Sequence, residues 1–191
     1  MEVESFLCVS PHPGGCPSEH FAGFEAEEHI LAVSAGVTPV LWLALFRNGD
    51  LEADGTPIVA RRRALSNLYA AVPVLDRLFA GSVAEHAELL REAMRWLPGA
   101  TVTIEWWAGD VTPAVPPRAD VSTVLDLIGG APADDDDLAV WERITGLAVG
   151  SRIVPADLLL GGAPATEEQR AGLRRVLGRS NMRPVPWEIR F

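Results

Sequence analysis

Lysine is missing from this 191-residue chain, and all 16 of its basic residues are arginine. No side chain can therefore act as a lysine Schiff-base former, a P-loop phosphate ligand or a lysine general base. The positive charge sits on guanidinium groups that stay protonated and favour fixed, bidentate pairing over proton chemistry. That tilts the reading from catalysis towards binding, although a GC-rich coding sequence would leave the same mark. Long apolar runs are also missing. The longest, Val40 to Phe46, is far shorter than the ~20 residues a membrane span needs. The chain begins Met1-Glu2-Val3-Glu4 with neither a basic n-region nor an apolar h-region, so no secretory signal is expected and the cytoplasm is the expected compartment.

Basic charge is in short supply as well: 26 acidic residues leave a formal net charge of −10. Phosphate neutralisation dominates nucleic-acid affinity, so this sign opposes a nucleic-acid partner. The surplus is uneven. Residues 1–60 hold nine acids against one arginine, whereas residues 165–191 hold three acids against six arginines. Arg170, Arg174, Arg175, Arg179 and Arg183 could make a local basic patch, or simply the polar face of a helix. With 48% apolar residues the composition excludes disorder and supports a sizeable core.

Periodicity and caps predict several helices. Thr56-Pro57 reads as an N-cap and first-turn proline, followed by a stripe of Leu65, Leu68, Val72, Leu75 and Phe79, with a kink or break expected at Pro73. Ser82 and Glu85 read as a capping box for a helix whose face is Val83, Ala87, Leu90, Met94 and Leu97, stopped by Pro98-Gly99. Shorter helices are marked by Val121, Val124, Leu125 and Ile128; by Leu138, Trp141, Ile144 and Ala148; and by Leu173, Val176 and Leu177. The run Val40 to Phe46 fits a short helix better than a buried strand, because Leu, Ala and Trp outnumber β-branched residues. Period-two alternation marks strands near 3–9, 101–107 and 184–191, and a further one near 29–34. The expected architecture is α+β: a single domain over residues 1–191, with about six helices on a small, mainly antiparallel sheet. One echo, Gly-Gly-Ala-Pro-Ala at 129–133 and again at 161–165, reads as the same helix connector used twice; it has neither phosphate-loop pattern.

Four soft ligands at intervals of four, Cys8, His12, Cys16 and His20, form the most suggestive cluster. Two thiolates and two imidazoles could satisfy tetrahedral zinc, and the intervening prolines and glycines favour a loop able to wrap it. The spacing departs from a C-x2–4-C knuckle, and Cys8 could equally be a buried strand residue. His29 or Glu28 could supply a base beside such a loop, and His29 could equally be a solvated surface residue. His86 lies at the edge of an apolar helix stripe. Asp50, Glu52, Asp54 and Gly55 resemble the opening of an EF-hand loop, but Arg61 stands where its bidentate glutamate belongs, so a polar connector is expected instead. Asp134 to Asp137 suit a helix N-terminus and could also face a basic partner. Trp107 shares a strand face with Thr101, Thr103 and Glu105, the expected solvent side, and is a candidate interface anchor there. A sheet packed on both faces would remove that role.

Two functions follow. The first is a non-catalytic acidic binding protein that engages a basic protein partner, with no nucleic acid, membrane or cofactor involved. Glu25, Glu27, Glu28 and Asp134, Asp135, Asp136 and Asp137 would steer the partner and Trp107 would anchor it. Small immunity and inhibitor proteins behave this way, an analogy of size and charge alone. The alternative is a small zinc-dependent enzyme, a hydrolase, built on the Cys8, His12, Cys16 and His20 loop, three of which would bind while water takes the open position.

Overall fold

The computed structural model describes residues 3–10, 30–78, 83–96, 99–108 and 112–146. Five strands, β1 (Val3–Ser10), β2 (Ile30–Ala35), β3 (Ile58–Ala60), β4 (Thr101–Ala108) and β5 (Thr112–Pro113), make one antiparallel sheet. Their order is β2-β1-β4-β3, with β5 also paired to β4. The central β1–β4 ladder runs in unbroken register from Val3 opposite Ala108 to Ser10 opposite Thr101. A register shift between Leu7 and Cys8 breaks the β1–β2 ladder instead. On the far edge of β4, β3 pairs with Thr101–Thr103 and β5 with Trp107–Ala108. The stretch of Ile104 and Glu105 therefore faces a notch, closed at one end by the Ala114 amide donating to the Trp106 carbonyl at 2.8 Å. Prolines 113, 116 and 117 explain the brevity of β5, because proline cannot donate to a ladder.

The helices are α1 (Val40–Leu43), α2 (Arg61–Leu78), α3 (Val83–Trp96), α4 (Arg118–Ile128) and α5 (Asp135–Thr145), with a 3-10 turn at Asn48–Asp50. The mixed helix and sheet architecture agrees with the α+β expectation. Five α-helices stand among the described residues, and the expected helix near 173–177 and strand near 184–191 lie outside them. The second Gly-Gly-Ala-Pro-Ala segment and Ala148 lie outside as well. Among the described residues, no helix is long and apolar enough to cross a membrane.

Several local expectations need correction. Thr56-Pro57 does not open a helix: Pro57 bridges to Leu51, and Ile58 and Val59 pair with Thr103 and Val102 before α2 begins at Arg61. The alternative of joining a preformed sheet edge outweighs a local capping signal. Pro73 neither breaks nor ends α2. It lies on the exposed side, where water can satisfy the Tyr69 carbonyl that it leaves without a donor. The N-cap of α1 is Pro39, without a side-chain bond, and the hydroxyl of the preceding Thr38 turns to the sheet. Of the Ser82–Glu85 capping box, Ser82 lies outside the described residues. The first amide of α3, Val83 N–H, donates to the Asp76 carboxylate of α2 at 2.8 Å.

One face of the β1–β4 pair carries Leu7, Val9, Val102, Ile104 and Trp106. These join Val59, the whole run Val40 to Phe46 and the inner faces of α2 to α5 in one core. Each large side chain buried there contributes roughly 1.5–3 kcal/mol. The connector after α1 is tied by a polar knot. Buried Asp50 accepts from the Arg47 amide (2.8 Å) and from Asn67 Nδ2 (3.2 Å) and pairs with Arg63 (3.1 Å). The Arg47 guanidinium donates to the carbonyls of Phe46 (2.8 Å) and Asn67 (2.7 Å). Burial lowers the Arg47 pKa and the Asp50 carboxylate opposes that shift. The EF-hand resemblance dissolves here, since Asp50 is committed to arginine and amide donors.

Candidate functional site

The notch in β4 opens into a cleft of about 250 Å³ lined by Asp54, Thr56, Glu105, Trp107, Pro113 and Val115 among others. Its position follows from chain chemistry. The short β3 and the proline-limited β5 leave the middle of β4 uncovered at the edge. Across the notch the turn from Glu52 to Thr56 is held by Asp54 Oδ1 accepting from the Thr56 amide at 2.9 Å and by Gly55 N–H donating to the Glu52 carbonyl at 3.1 Å. Gly55 has φ +97, and a Cβ there would stand 3.1 Å from the Arg118 Cα. Only glycine lets this turn both adopt that conformation and rest against the start of α4. Arg118 Nε adds a bond to the Glu52 carbonyl at 3.3 Å.

Glu105 is the chemically distinctive member. It lies half-buried directly opposite Phe6 of β1, and Trp107 Nε1 donates to its Oε2 at 3.3 Å. Cross-strand partners sit with their Cβ atoms about 4.5–5.5 Å apart, which makes Phe6 the immediate neighbour of Glu105 across the ladder. Burial pushes the Glu105 pKa up to about 7, against the smaller opposing effect of the indole bond. Near neutral pH the group is thus shared between acid and carboxylate, the condition that marks candidate functional groups in clefts. Asp54, at the exposed rim, adds a second carboxyl. The arrangement can hold a cation against two acidic groups and an indole wall, with apolar Pro113 and Val115 covering an aliphatic stem.

The structure redistributes the residues that sequence analysis singled out. Trp107 was expected on the solvent side and is not: it retains 9% exposure, and its neighbours Thr101 and Thr103 are buried too. Both faces of the β1–β4 pair are shielded, so Trp107 is a cleft wall rather than a projecting anchor. Cys8 is fully buried in β1, opposite Thr103. His12, Cys16, His20, Glu25, Glu27, Glu28 and His29 lie outside the described residues. Among the described residues no three His, Cys, Asp or Glu side chains gather into a metal-holding group. Asp134 and Asp137 form a reciprocal capping box at the start of α5, with the Asp137 amide donating to Asp134 (2.9 Å) and the Asp134 amide to Asp137 (3.3 Å). Asp135 and Asp136 stand exposed beside them.

Glu105, named in the sequence only as a neighbour of Trp107, Asp54, named only in the EF-hand resemblance, and the pair Ser5 and Thr38 were given no role in a site. A signal existed for the first: a lone acid between Ile104 and two tryptophans in a strand otherwise made of Thr, Val, Ile and Ala. Compared with known protein families, with curated proteins and with solved structures, the chain matches none.

Proposed function

We propose that the chain is a non-catalytic acidic binding protein that engages a basic protein partner, and that the Glu105 cleft receives one cationic side chain of that partner. The observation that carries this reading is the meeting of Asp54, Glu105 and the Trp107 indole around one cleft. An arginine or lysine entering there meets two carboxyls and an aromatic wall in a partly dewatered site, where charge interactions are stronger than at an open surface. Asp135 and Asp136, with Glu25, Glu27 and Glu28, add long-range attraction that speeds encounter without fixing geometry. Arrival of the cation favours the ionised form of Glu105, so binding releases a proton and strengthens as pH rises through about 7.

The test is a titration with a short arginine-containing peptide and with its citrulline counterpart, which keeps the shape and loses the charge, read at the Trp107 indole N–H resonance. The arginine peptide is expected to shift that resonance, to bind more weakly at high salt and to lose affinity in Glu105→Gln and Asp54→Asn. Equal binding of the citrulline peptide would overturn the reading.

A further inference from the structure

On the other side of Val115 lies a second cavity of about 350 Å³. It is at the lower end of the ~300–1,000 Å³ range typical of small-molecule sites. Its walls are largely apolar, with Val3, Val37, Pro116 and Ile144 among them. Its buried end is polar in a specific way. Trp106 Nε1 donates to Thr38 Oγ1 at 2.8 Å, and Thr38 Oγ1 lies 2.9 Å from Ser5 Oγ. Ser5, Thr38 and Trp106 are each 2% exposed.

The indole hydrogen goes to Thr38. One hydroxyl hydrogen joins the two oxygens, whichever of them donates. The other hydroxyl hydrogen has no acceptor within the trio. A buried donor without an acceptor is costly, and a ligand oxygen would recover that cost. The open end is different. Arg143 Nη2 pairs with Asp120 Oδ2 at 2.6 Å, with side-chain exposures of 59% and 22%. Each charge there is answered by the other, so the rim asks for no net charge in the ligand, and the buried end holds no charged group to answer one.

We propose that this cavity binds an uncharged, mainly apolar molecule of about ten non-hydrogen atoms, whose ketone, ester or lactone carbonyl accepts the remaining Ser5–Thr38 hydroxyl hydrogen. The site is separate from the cation cleft and does not depend on that reading: it uses hydroxyls and apolar walls, where the cleft uses carboxyls.

The probe is γ-octalactone carrying ¹³C at the carbonyl, titrated into the full chain and read at the Trp106 indole N–H resonance. Its ring-opened form, 4-hydroxyoctanoate, is the charged control. The lactone is expected to shift the Trp106 resonance at sub-millimolar to millimolar concentration, with the carboxylate at least about tenfold weaker. The bound carbonyl should resonate downfield of its position in hexane, as a hydrogen-bonded carbonyl does. Ala114→Phe fills the cavity from its half-exposed wall and should weaken the lactone at least about tenfold. No Trp106 shift at millimolar lactone, tighter binding of the carboxylate, an undisplaced carbonyl resonance, or unchanged binding in folded Ala114→Phe would each overturn the proposal. If Ala114→Phe does not fold, the lactone and carboxylate titrations of the unmodified chain decide alone.

Discussion

Replacing Glu105 by glutamine tests the chemistry of the cleft without any partner. In the folded chain burial holds the Glu105 pKa at about 7, against an ordinary value of 4.5. Between these two values the folded protein keeps a proton that the unfolded chain has released. Stability therefore falls as pH rises through that window: the contribution is fully present below about 4.5 and gone above about 7. A shift of about 2.5 units corresponds to a ceiling of roughly 3.4 kcal/mol at 1.36 kcal/mol per unit. Glu105 is only half-buried, and solvent screening reduces this to roughly 1–2 kcal/mol. Glutamine keeps the shape and an oxygen for the Trp107 indole but cannot titrate. In a chain of this size each kcal/mol moves Tm by about 2–4 °C. Circular dichroism melts should therefore show the unmodified protein losing about 2–8 °C more than Glu105→Gln between pH ~5 and pH ~8. Parallel Tm–pH curves for the two proteins, or a Glu105 ¹³C-carboxyl titration centred in the ordinary carboxylate range, would refute the argument.

Other positions give sharper structural tests. Gly146 closes α5 at φ +68, and a Cβ there would lie 2.5 Å from Val37 Cγ1. Gly146→Ala should thus destabilise by about 2–3 kcal/mol in denaturant unfolding, with partial recovery when Val37→Ala is added. Asp50→Ala removes the acceptor for the Arg47 amide and Asn67 and the negative charge beside the half-buried Arg47 guanidinium; about 2–3 kcal/mol should be lost, read as a lower denaturant midpoint at constant m-value. Asp134→Ala should lower stability by about 1 kcal/mol, whereas Asp135→Ala, beside it but outside the capping box, should change it by less than about 0.5. Protein purified without chelator and carrying a full equivalent of zinc would revive the hydrolase alternative, and less than about a tenth of an equivalent would end it.

The helices α3, α4 and α5 were legible because each buries one stripe, and a stripe of Val, Leu, Ile or Met at helical spacing is written directly in the chain. The alternation of β1 and β4 was equally plain. What alternation cannot report is whether the second face is also covered, and Trp107 was misplaced for that reason. β3 has three residues and β5 has two. Elements so short exist only because β4 offers a ladder, and no local window contains β4. The same holds for the sites. Ser5 and Thr38 are 33 residues apart, and Thr38 and Trp106 are 68 apart. Ordinary strand and loop residues taken singly, they become a donor array only when β1, the turn before α1 and β4 meet. Glu105 carries an unusual affinity for its proton because the assembled sheet buries it, and no local window reports that burial.

The enclosure of α1 has a consequence for motion. Every residue from Val40 to Phe46 is buried, and the amides of Ala44, Leu45 and Phe46 donate to carbonyls of Val40, Trp42 and Leu43 within that enclosed run. A helix with one wet face can fray turn by turn; this one has no wet face from which to start. Its amide hydrogens can reach deuterium only when the surrounding sheet and helices part together, so their exchange rate measures the opening of the whole molecule rather than of one segment. Seven residues at the centre thus serve as an internal clock for the global transition, against which the breathing of either cleft can be timed.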